Sequence, residues 1–192
     1  MNVVYIGSGD IGVPSLRRLL DASGVNVAAV VTQPDRAAGR GLKVAFSKVK
    51  RLAMEHEVPV MQPPKLRDSG AVAEIAALAP DLLVVMAYGQ ILPQALLDVP
   101  ALGALNLHAS LLPRHRGAAP VHAALLAGDK VTGITVMWMD AGLDTGDILC
   151  VRDCGIAEEE TAGSLHDRLA DLAPLALEDA LEPVSYTHLT LP

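Results

Sequence analysis

The chain has 192 residues and a formal net charge of −7, with 51% hydrophobic, 19% charged and 3% aromatic residues. This length fits one domain, or one domain and part of another, and the apolar content is too high for a disordered chain. The acidic balance argues against a non-specific nucleic-acid binder, which would normally be basic.

The sequence also argues against a membrane protein and against a metal-binding protein. No apolar run approaches the ~20 residues needed to cross a bilayer, and the strand-like N-terminus lacks the charged and apolar regions of a secretion signal. Cys150 and Cys154 have no Cys or His partners nearby, so we expect no metal site. We expect two buried free thiols on one face of a strand, which suits the reducing cytoplasm, and no membrane partner.

The N-terminal segment reads as strand, tight turn and helix. Residues 2–6 are an apolar β run, residues 7–12 read GSGDIG, and Pro14 suits a helix start. The turn fits the dinucleotide pattern G-x-G-x-x-G, but the tip of the next strand, residues 25–31, lacks the usual acid. Asp35 comes only after a proline. The pattern therefore leaves open an NAD site or a turn that needs small residues for close packing.

Residues 33–43 form a loop rich in Gly and Arg. Residues 35–51 carry six of the 15 Lys and Arg residues against the single acid Asp35. Such cations would attract phosphate groups, although a solvated loop has the same composition.

Strands and helices alternate through the middle of the chain. We predict a helix over residues 47–56, an edge strand over 58–61, a helix over 69–78, a buried strand over 81–87 and a helical turn over 94–97. This alternation predicts right-handed β-α-β units and a Rossmann-like, mostly parallel sheet flanked by helices. The segments 7–12, 33–43, 88–92 and 106–114 all follow strands, so they could converge on one cleft.

The stretch from residue 105 to residue 147 carries the clearest chemistry. In a strand, Asn106 and His108 share one face. A second strand over residues 133–139 ends at a Gly-rich loop with three acids, Asp140, Asp144 and Asp147. Asn106 could donate to a developing oxyanion, which can be worth roughly 3 kcal/mol, while His108 moves protons and Asp144 assists it. The alternative is a strand end whose Asn and His merely satisfy loop backbone.

The residue string resembles the catalytic segment of the folate-dependent formyltransferases. The matching features are Asn106-x-His108, the run SLLPR at 110–114 and Asp144 within GLDTG. The run RGAAP at 116–120 is most similar to the members that act on methionyl-tRNA, and the resemblance covers about residues 3–182. It implies formyl transfer from 10-formyltetrahydrofolate to initiator methionyl-tRNA, without a metal, with Asn106, His108 and Asp144 as catalytic residues.

The same resemblance implies binding residues. Folate would contact two segments, namely Tyr88, Gly89, Gln90, Ile91 and Leu92, and Ser110, Leu111, Leu112 and Pro113. The acceptor end of the tRNA would contact the basic loop through Arg36, Arg40 and Lys43. Related formyltransferases with small acceptors lack this version of the loop. We expect His122, on a helix over residues 121–127, to be a helix-face histidine, and the chain to be a monomer.

The C-terminal part departs from the pattern. We predict a strand over residues 148–154 and a helix over residues 162–181, with Thr161 as N-cap and Pro174 as a kink or break. In the family the chain continues into a C-terminal barrel domain, which we expect to be absent here. We assign residues 1–182 to the catalytic domain and residues 183–192 (PVSYTHLTLP) to a tail of non-native origin.

Three other functions remain open. A formyltransferase with an amino-sugar or nucleotide acceptor would keep the Asn–His–Asp group. An NAD-binding oxidoreductase would rest on Gly7, Gly9 and Gly12. The chain could also be a folate- or RNA-binding fragment without useful turnover.

Overall fold

A mostly parallel β-sheet flanked by helices forms the framework of the chain, as the sequence predicts. The computed structural model describes residues 1–38 and 43–190. Its strands are β1 (Asn2–Gly7), β2 (Asn26–Val31), β3 (Arg36–Ala38), β4 (Lys43–Ala45), β5 (Val60–Met61), β6 (Leu82–Met86), β7 (Ala104–His108), β8 (Val131–Trp138) and β9 (Ile148–Gly155). Its helices are α1 (Val13–Asp21), α2 (Lys48–Glu55), α3 (Ser69–Ala76), α4 (Gln94–Leu97), α5 (Pro120–Leu126) and α6 (Ala162–Thr190), with a 3-10 turn at Asp10–Gly12.

The order of the strands places a crevice at one edge of the sheet. Seven strands run in the order β5-β2-β1-β6-β7-β8-β9, while β3 and β4 form a separate antiparallel hairpin. The first five are parallel, and β8 and β9 are antiparallel to their neighbours. The chain winds from β1 through β2 to β5 on one side and from β6 to β7 on the other. In such sheets ligands bind beyond the carboxyl ends of the strands where the winding reverses, here between β1 and β6.

Two apolar layers cover the two faces of the sheet. Along β1, Val3 and Tyr5 belong to one layer, and Val4 and Ile6 belong to the other. Side chains of α1, α2 and α6 complete the first layer, and those of α3 and α4 complete the second. Every residue of β6 is buried, which explains its uninterrupted apolar sequence.

The C-terminal helix differs from the prediction. Thr161 caps it as expected, since its hydroxyl accepts from the Ser164 amide at 3.1 Å. The helix then continues without a break through Pro174 to Thr190, beyond the predicted end at residue 181. Buried residues on both sides of the proline, Ala173 and Leu177, hold this helix against the sheet, so packing outweighs the missing N–H. The origin of residues 183–192 stays a prediction.

The two cysteines match the sequence prediction only in part. Cys150 and Cys154 are free and both pack against the first apolar layer, as expected for one face of a strand. They are half-buried rather than buried, because β9 is the last strand of the sheet. The Cys150 thiol donates to the Ala176 carbonyl at 3.2 Å, which links this edge to α6.

Candidate active site

A cleft of about 940 Å³ opens where the carboxyl ends of the central strands meet. This volume is in the range of small-molecule sites. Its walls come from the segments that follow β6, β7 and β8, together with the first residues of α5 and α6. Of the four segments predicted to converge, residues 7–12, 88–92 and 106–114 each contribute to the cleft lining, whereas the described residues of 33–43 do not.

Asn106 and His108 stand together on β7 and both line the cleft. Asn106 pairs across the sheet with Met137, and His108 pairs with Thr135. His108 is buried, and Asn106 is half-buried. The two-residue period of the strand alone brings these side chains to the same face.

Asp144 reaches both of them from the loop after β8. Its Oδ1 accepts from Asn106 Nδ2 at 3.3 Å, and its Oδ2 lies 3.6 Å from His108 Nδ1. The Gly117 amide donates to the same Oδ2 at 2.8 Å. Asn106 has a second amide hydrogen, so it can bind Asp144 and a substrate oxygen at once.

The His108 ring is oriented from its other side. His108 Nε2 lies 2.9 Å from the carbonyl oxygen of His115. Because a carbonyl oxygen only accepts, Nε2 must carry the hydrogen. In the neutral imidazole the lone pair is therefore on Nδ1, the atom that faces Asp144, and a proton taken up there would lie beside a carboxylate.

The loop that carries Asp144 is shaped by the acid at its start. Asp140 Oδ1 accepts from the Gly142 amide at 2.9 Å and from the Thr145 hydroxyl at 2.8 Å. At Gly146, a Cβ would fall 1.8 Å from the Trp138 carbonyl oxygen, so only glycine allows the loop to close on the strand. Asp144 itself has a φ of 52°, a left-handed conformation that Asp tolerates better than most residues. Asp140 therefore shapes the loop, whereas Asp144 contacts Asn106 and lies near His108.

The first segment predicted to contact folate, residues 88–92, lines the cleft. Tyr88, Gly89, Gln90, Ile91 and Leu92 all border it, and the Ile91 side chain is exposed. Gly89 has a φ of 85°, which L side chains rarely adopt. The Tyr88 carbonyl accepts from Gln33 Nε2 at 3.1 Å, so the start of the segment is tied to the end of β2. Burial raises the pKa of the Tyr88 hydroxyl, whose ring packs in the second apolar layer.

The second predicted folate segment, residues 110–113, follows β7 closely along the chain. Ser110, Leu111, Leu112 and Pro113 are not among the residues that line the cleft. Ser110 Oγ donates to the Arg114 carbonyl at 2.6 Å, and the Leu112 amide donates to Thr135 Oγ1 at 3.1 Å. The Leu112–Pro113 peptide bond is cis. These contacts fasten the loop to β8, and the assignment of these four residues to folate stays a prediction.

The predicted tRNA contacts fall largely outside the described part of the chain. Arg40 lies outside the described residues. Arg36 and Lys43 begin the two strands of the hairpin, but their side chains lie outside what the structure describes. Their assignment to tRNA stays a prediction.

The glycine turn is a packing feature. A Cβ on Gly7 would fall 2.6 Å from the Met86 carbonyl oxygen, and one on Gly9 would fall 2.8 Å from the Ala87 Cβ. Asp35, the acid nearest to a ribose-binding position, accepts from Lys50 at 2.5 Å and from Gln62 at 3.0 Å. Close packing therefore accounts for the pattern that suggested NAD.

Several residues of the site escaped sequence reasoning. His115 and Gly117 contact His108 and Asp144 through backbone atoms, which leave no signature in a side-chain pattern. His166 and the first residues of α6 line the cleft from a distant part of the chain. His122 lies on α5 as predicted and is exposed, yet it also borders the cleft.

The described residues also bear on metal binding and on membrane insertion. Within residues 1–38 and 43–190, no cluster of three or more His, Cys, Asp or Glu side chains is arranged to hold a metal ion. In the same part of the chain, no helix combines the length and apolarity needed to cross a bilayer.

The mostly parallel sheet with an Asn–His–Asp group at its carboxyl edge is the architecture that the sequence predicts for a formyltransferase fold. The sequence model of this family, described as formyl transferase, matches residues 1–181, and the chain belongs to that family. It is 55% identical over 182 residues to the methionyl-tRNA formyltransferase of Pseudomonas fluorescens and 52% identical over 182 residues to that of Geobacter sulfurreducens. Each alignment covers 95% of this chain and 57% of the relative, so the chain spans little more than half of their length.

Solved structures share the fold at lower identity. A phosphoribosylglycinamide formyltransferase from Bacillus halodurans aligns with a TM-score of 0.80 and 23% identity, covering 99% of this chain and 96% of that one. A formyltetrahydrofolate deformylase from Pseudomonas syringae aligns with a TM-score of 0.74 and 24% identity, over 94% of this chain and 59% of that one. These likenesses support the fold.

Proposed function

We propose that the chain forms the catalytic part of an enzyme that transfers the formyl group of 10-formyltetrahydrofolate to the amino group of methionine on initiator tRNA, in the cytoplasm. The observation that carries this proposal is the 55% identity over 182 residues to a methionyl-tRNA formyltransferase. The position of Asn106, His108 and Asp144 in one cleft supports it chemically.

The cleft suits the formyl donor, which is a substrate consumed by the reaction. Its walls combine apolar side chains such as Ile91 and Leu92 with backbone groups of residues 88–90. A flat heteroaromatic ring needs apolar contact on its faces and hydrogen-bonding groups at its edge, and this combination offers both. We therefore assign the pterin ring to the segment from Tyr88 to Leu92.

Attack of the amine nitrogen on the formyl carbon places a negative charge on the formyl oxygen. The free hydrogen of Asn106 Nδ2 can donate to that oxygen, and such a donor lowers a barrier by roughly 3 kcal/mol. Collapse of the tetrahedral intermediate then breaks the bond between the formyl carbon and N10 of the folate, which takes up a proton and leaves as tetrahydrofolate. The attacking nitrogen must also lose a proton. His108 Nδ1 carries a lone pair and faces Asp144, so these two side chains can accept the proton, directly or through water. Positioning of the two substrates in the cleft supplies the remaining acceleration.

A smaller acceptor is the second candidate function. Its support is the fold shared with a sugar N-formyltransferase from Shewanella, at a TM-score of 0.73 and 20% identity, and with the glycinamide formyltransferases. These enzymes would use the same Asn–His–Asp chemistry with another amine. The higher identity to the methionyl-tRNA enzymes favours the tRNA acceptor.

The deciding experiment is an acceptor assay with purified protein and 10-formyltetrahydrofolate. Met-tRNA, glycinamide ribonucleotide, an amino-sugar nucleotide and water are tested separately, and His108→Ala serves as a control for formyltransferase carried over from the expression host. We expect transfer to Met-tRNA that the variant lacks. Transfer to a small acceptor alone would contradict the tRNA assignment. Folate binding without any transfer would identify a binding fragment that needs further protein for catalysis.

A further inference from the structure

We infer that the His115–Asp129 pair is a positioning device that fixes the tautomer and orientation of His108. This inference rests on the proposed function for its kinetic consequences. It assigns a role to two side chains that contact neither substrate nor the reacting atoms.

The backbone of His115 orients the ring of His108. Its carbonyl oxygen accepts from His108 Nε2 at 2.9 Å and so keeps the lone pair of the imidazole on Nδ1, toward Asp144. If this carbonyl turned away, the hydrogen could move to Nδ1 and donate to the Asp144 carboxylate. The lone pair would then lie on the wrong side of the ring.

The conformation that presents this carbonyl needs support. His115 has a φ of 54°, a left-handed conformation that is unfavourable for a non-glycine residue. An unsupported loop would relax toward ordinary backbone angles. The hydrogen bond of the preceding residue, from Ser110 Oγ to the Arg114 carbonyl, holds only the N-terminal side of His115.

Asp129 supplies the remaining anchor. Its Oδ2 lies 2.6 Å from His115 Nε2, and its Oδ1 accepts from Arg114 at 2.5 Å. The His115 hydrogen bond, followed by the Arg114 charge, holds the pKa of the Asp129 carboxyl below its usual range. The Asp129 side chain is only 7% exposed, and its amide donates to the Ala124 carbonyl of α5 at 3.0 Å, so the anchor is tied to the end of that helix.

The loop that carries His115 also contacts Asp144. Two residues after His115, the Gly117 amide donates to Asp144 Oδ2 at 2.8 Å. A shift of the His115 backbone would therefore disturb His108 and Asp144 together. Asp129, outside the cleft lining, controls the relative placement of both groups through one loop.

The kinetic test compares three variants with a matched control. His115→Ala and Asp129→Ala should each lower kcat by on the order of 10- to 100-fold, with little change in KM, because the reacting groups are misplaced while the binding walls remain. His115→Gln keeps an N–H donor of similar reach and should restore most of the rate. The control, Asp179→Ala, removes an acid that pairs with Arg152 of β9; neither residue lines the cleft, so the variant should keep full activity.

A spectroscopic test separates positioning from a merely structural role. The ¹⁵N shifts of the two ring nitrogens show which one carries hydrogen, and the His108 signals are those that disappear in His108→Asn. We expect the Nε2–H tautomer in the parent protein and in His115→Gln, and a mixture in His115→Ala and Asp129→Ala. An unchanged tautomer, or unchanged kcat, in both alanine variants would overturn the inference. If Asp129→Ala does not fold, the comparison of His115→Ala with His115→Gln decides.

The ring measurement needs no substrate. If the parent protein formylates no Met-tRNA yet shows the tautomer shift, the proposed acceptor is wrong and the positioning role stands. If it formylates Met-tRNA and the variants show no shift, the positioning role is wrong and the acceptor stands.

Discussion

The hydroxyl of Tyr5 donates a hydrogen bond to the carbonyl of Gly12 at 2.9 Å, and a Cβ on Gly12 would fall 2.1 Å from that hydroxyl. Tyr5 is fully buried in β1, and burial raises the pKa of its hydroxyl. The absence of a side chain at residue 12 thus allows the first helix to pack against the sheet. Packing accounts for this glycine without any bound dinucleotide.

We therefore predict that Gly12→Ala destabilises the protein by about 1–3 kcal/mol, because the added methyl overpacks a buried contact. Urea unfolding followed by circular dichroism measures the change. Gly70→Ala is the matched control: nothing lies within 4 Å of a Cβ there, and the residue is in α3. Its variant should be as stable as the parent or more stable by up to about 1 kcal/mol.

A double variant tests the contact itself. Tyr5→Phe removes the hydroxyl that the new methyl would meet, so Gly12→Ala should cost less in the Tyr5→Phe protein than in the parent. Equal costs in the two backgrounds would show that the clash is not with Tyr5.

The fold could be predicted because its signals are local. The uninterrupted apolar run of β6 and the alternation of strands with helices depend on neighbouring residues and predict a parallel sheet directly. The end of α6 could not be predicted in this way. Its course beyond residue 181 contradicts the polar, β-prone composition of residues 183–192, from which the sequence predicts a departure from the helix.

The site could be predicted only in part, for a related reason. The shared face of Asn106 and His108 follows from the period of a strand, whereas the contact of Asp144 with both side chains depends on a loop, which has no period. The left-handed backbone of His115 and its pairing with Asp129 depend on tertiary contacts that no pattern encodes. Ser110 to Pro113 were assigned to folate by resemblance, and this assignment stays a prediction; their hydrogen bonds attach them to β8.

We predict that Asn106→Ala, His108→Ala and Asp144→Asn each lower turnover by on the order of 100-fold or more, with the fold intact. The change at residue 144 is to Asn because this residue, unlike Ala, tolerates the left-handed φ of 52°. The substitution removes the charge and leaves the backbone in place. Single-turnover rates measure the effect, and thermal unfolding verifies the fold. Near-normal turnover in His108→Ala would refute the assignment of the site.

Low pH should weaken the hydrogen bonds that join Asp35, near the start of the basic loop (residues 33–43), to Lys50 and Gln62. Hydrogen bonds from Lys50 and then Gln62 lower the pKa of Asp35. Since the folded pKa lies below the unfolded value of about 3.9, the unfolded chain binds more protons as the pH falls. The stabilisation is thus present above that unfolded value and is lost as the pH falls through the folded pKa.

We therefore expect Asp35→Asn to flatten the acid limb of stability plotted against pH. Urea unfolding between pH 3 and pH 7 measures the slope, and the exposed acid Asp98, changed to Asn, is the control for removal of a charge. An Asp35→Asn curve parallel to that of the parent would show that the ion pair with Lys50 contributes nothing to the pH dependence.

The basic loop provides the last prediction, which concerns the acceptor. Each cation that neutralises a phosphate releases counterions, so its removal lowers the slope of log affinity against log salt by roughly 0.7–0.9. Arg40→Ala should weaken Met-tRNA binding by this mechanism and leave folate binding unchanged, whereas Arg17→Ala, an exposed arginine on α1, should change neither. Fluorescence titrations at several salt concentrations measure the slope. Weaker binding with an unchanged slope would identify Arg40 as a contact to something other than phosphate, and unchanged binding would remove the loop from the tRNA interface.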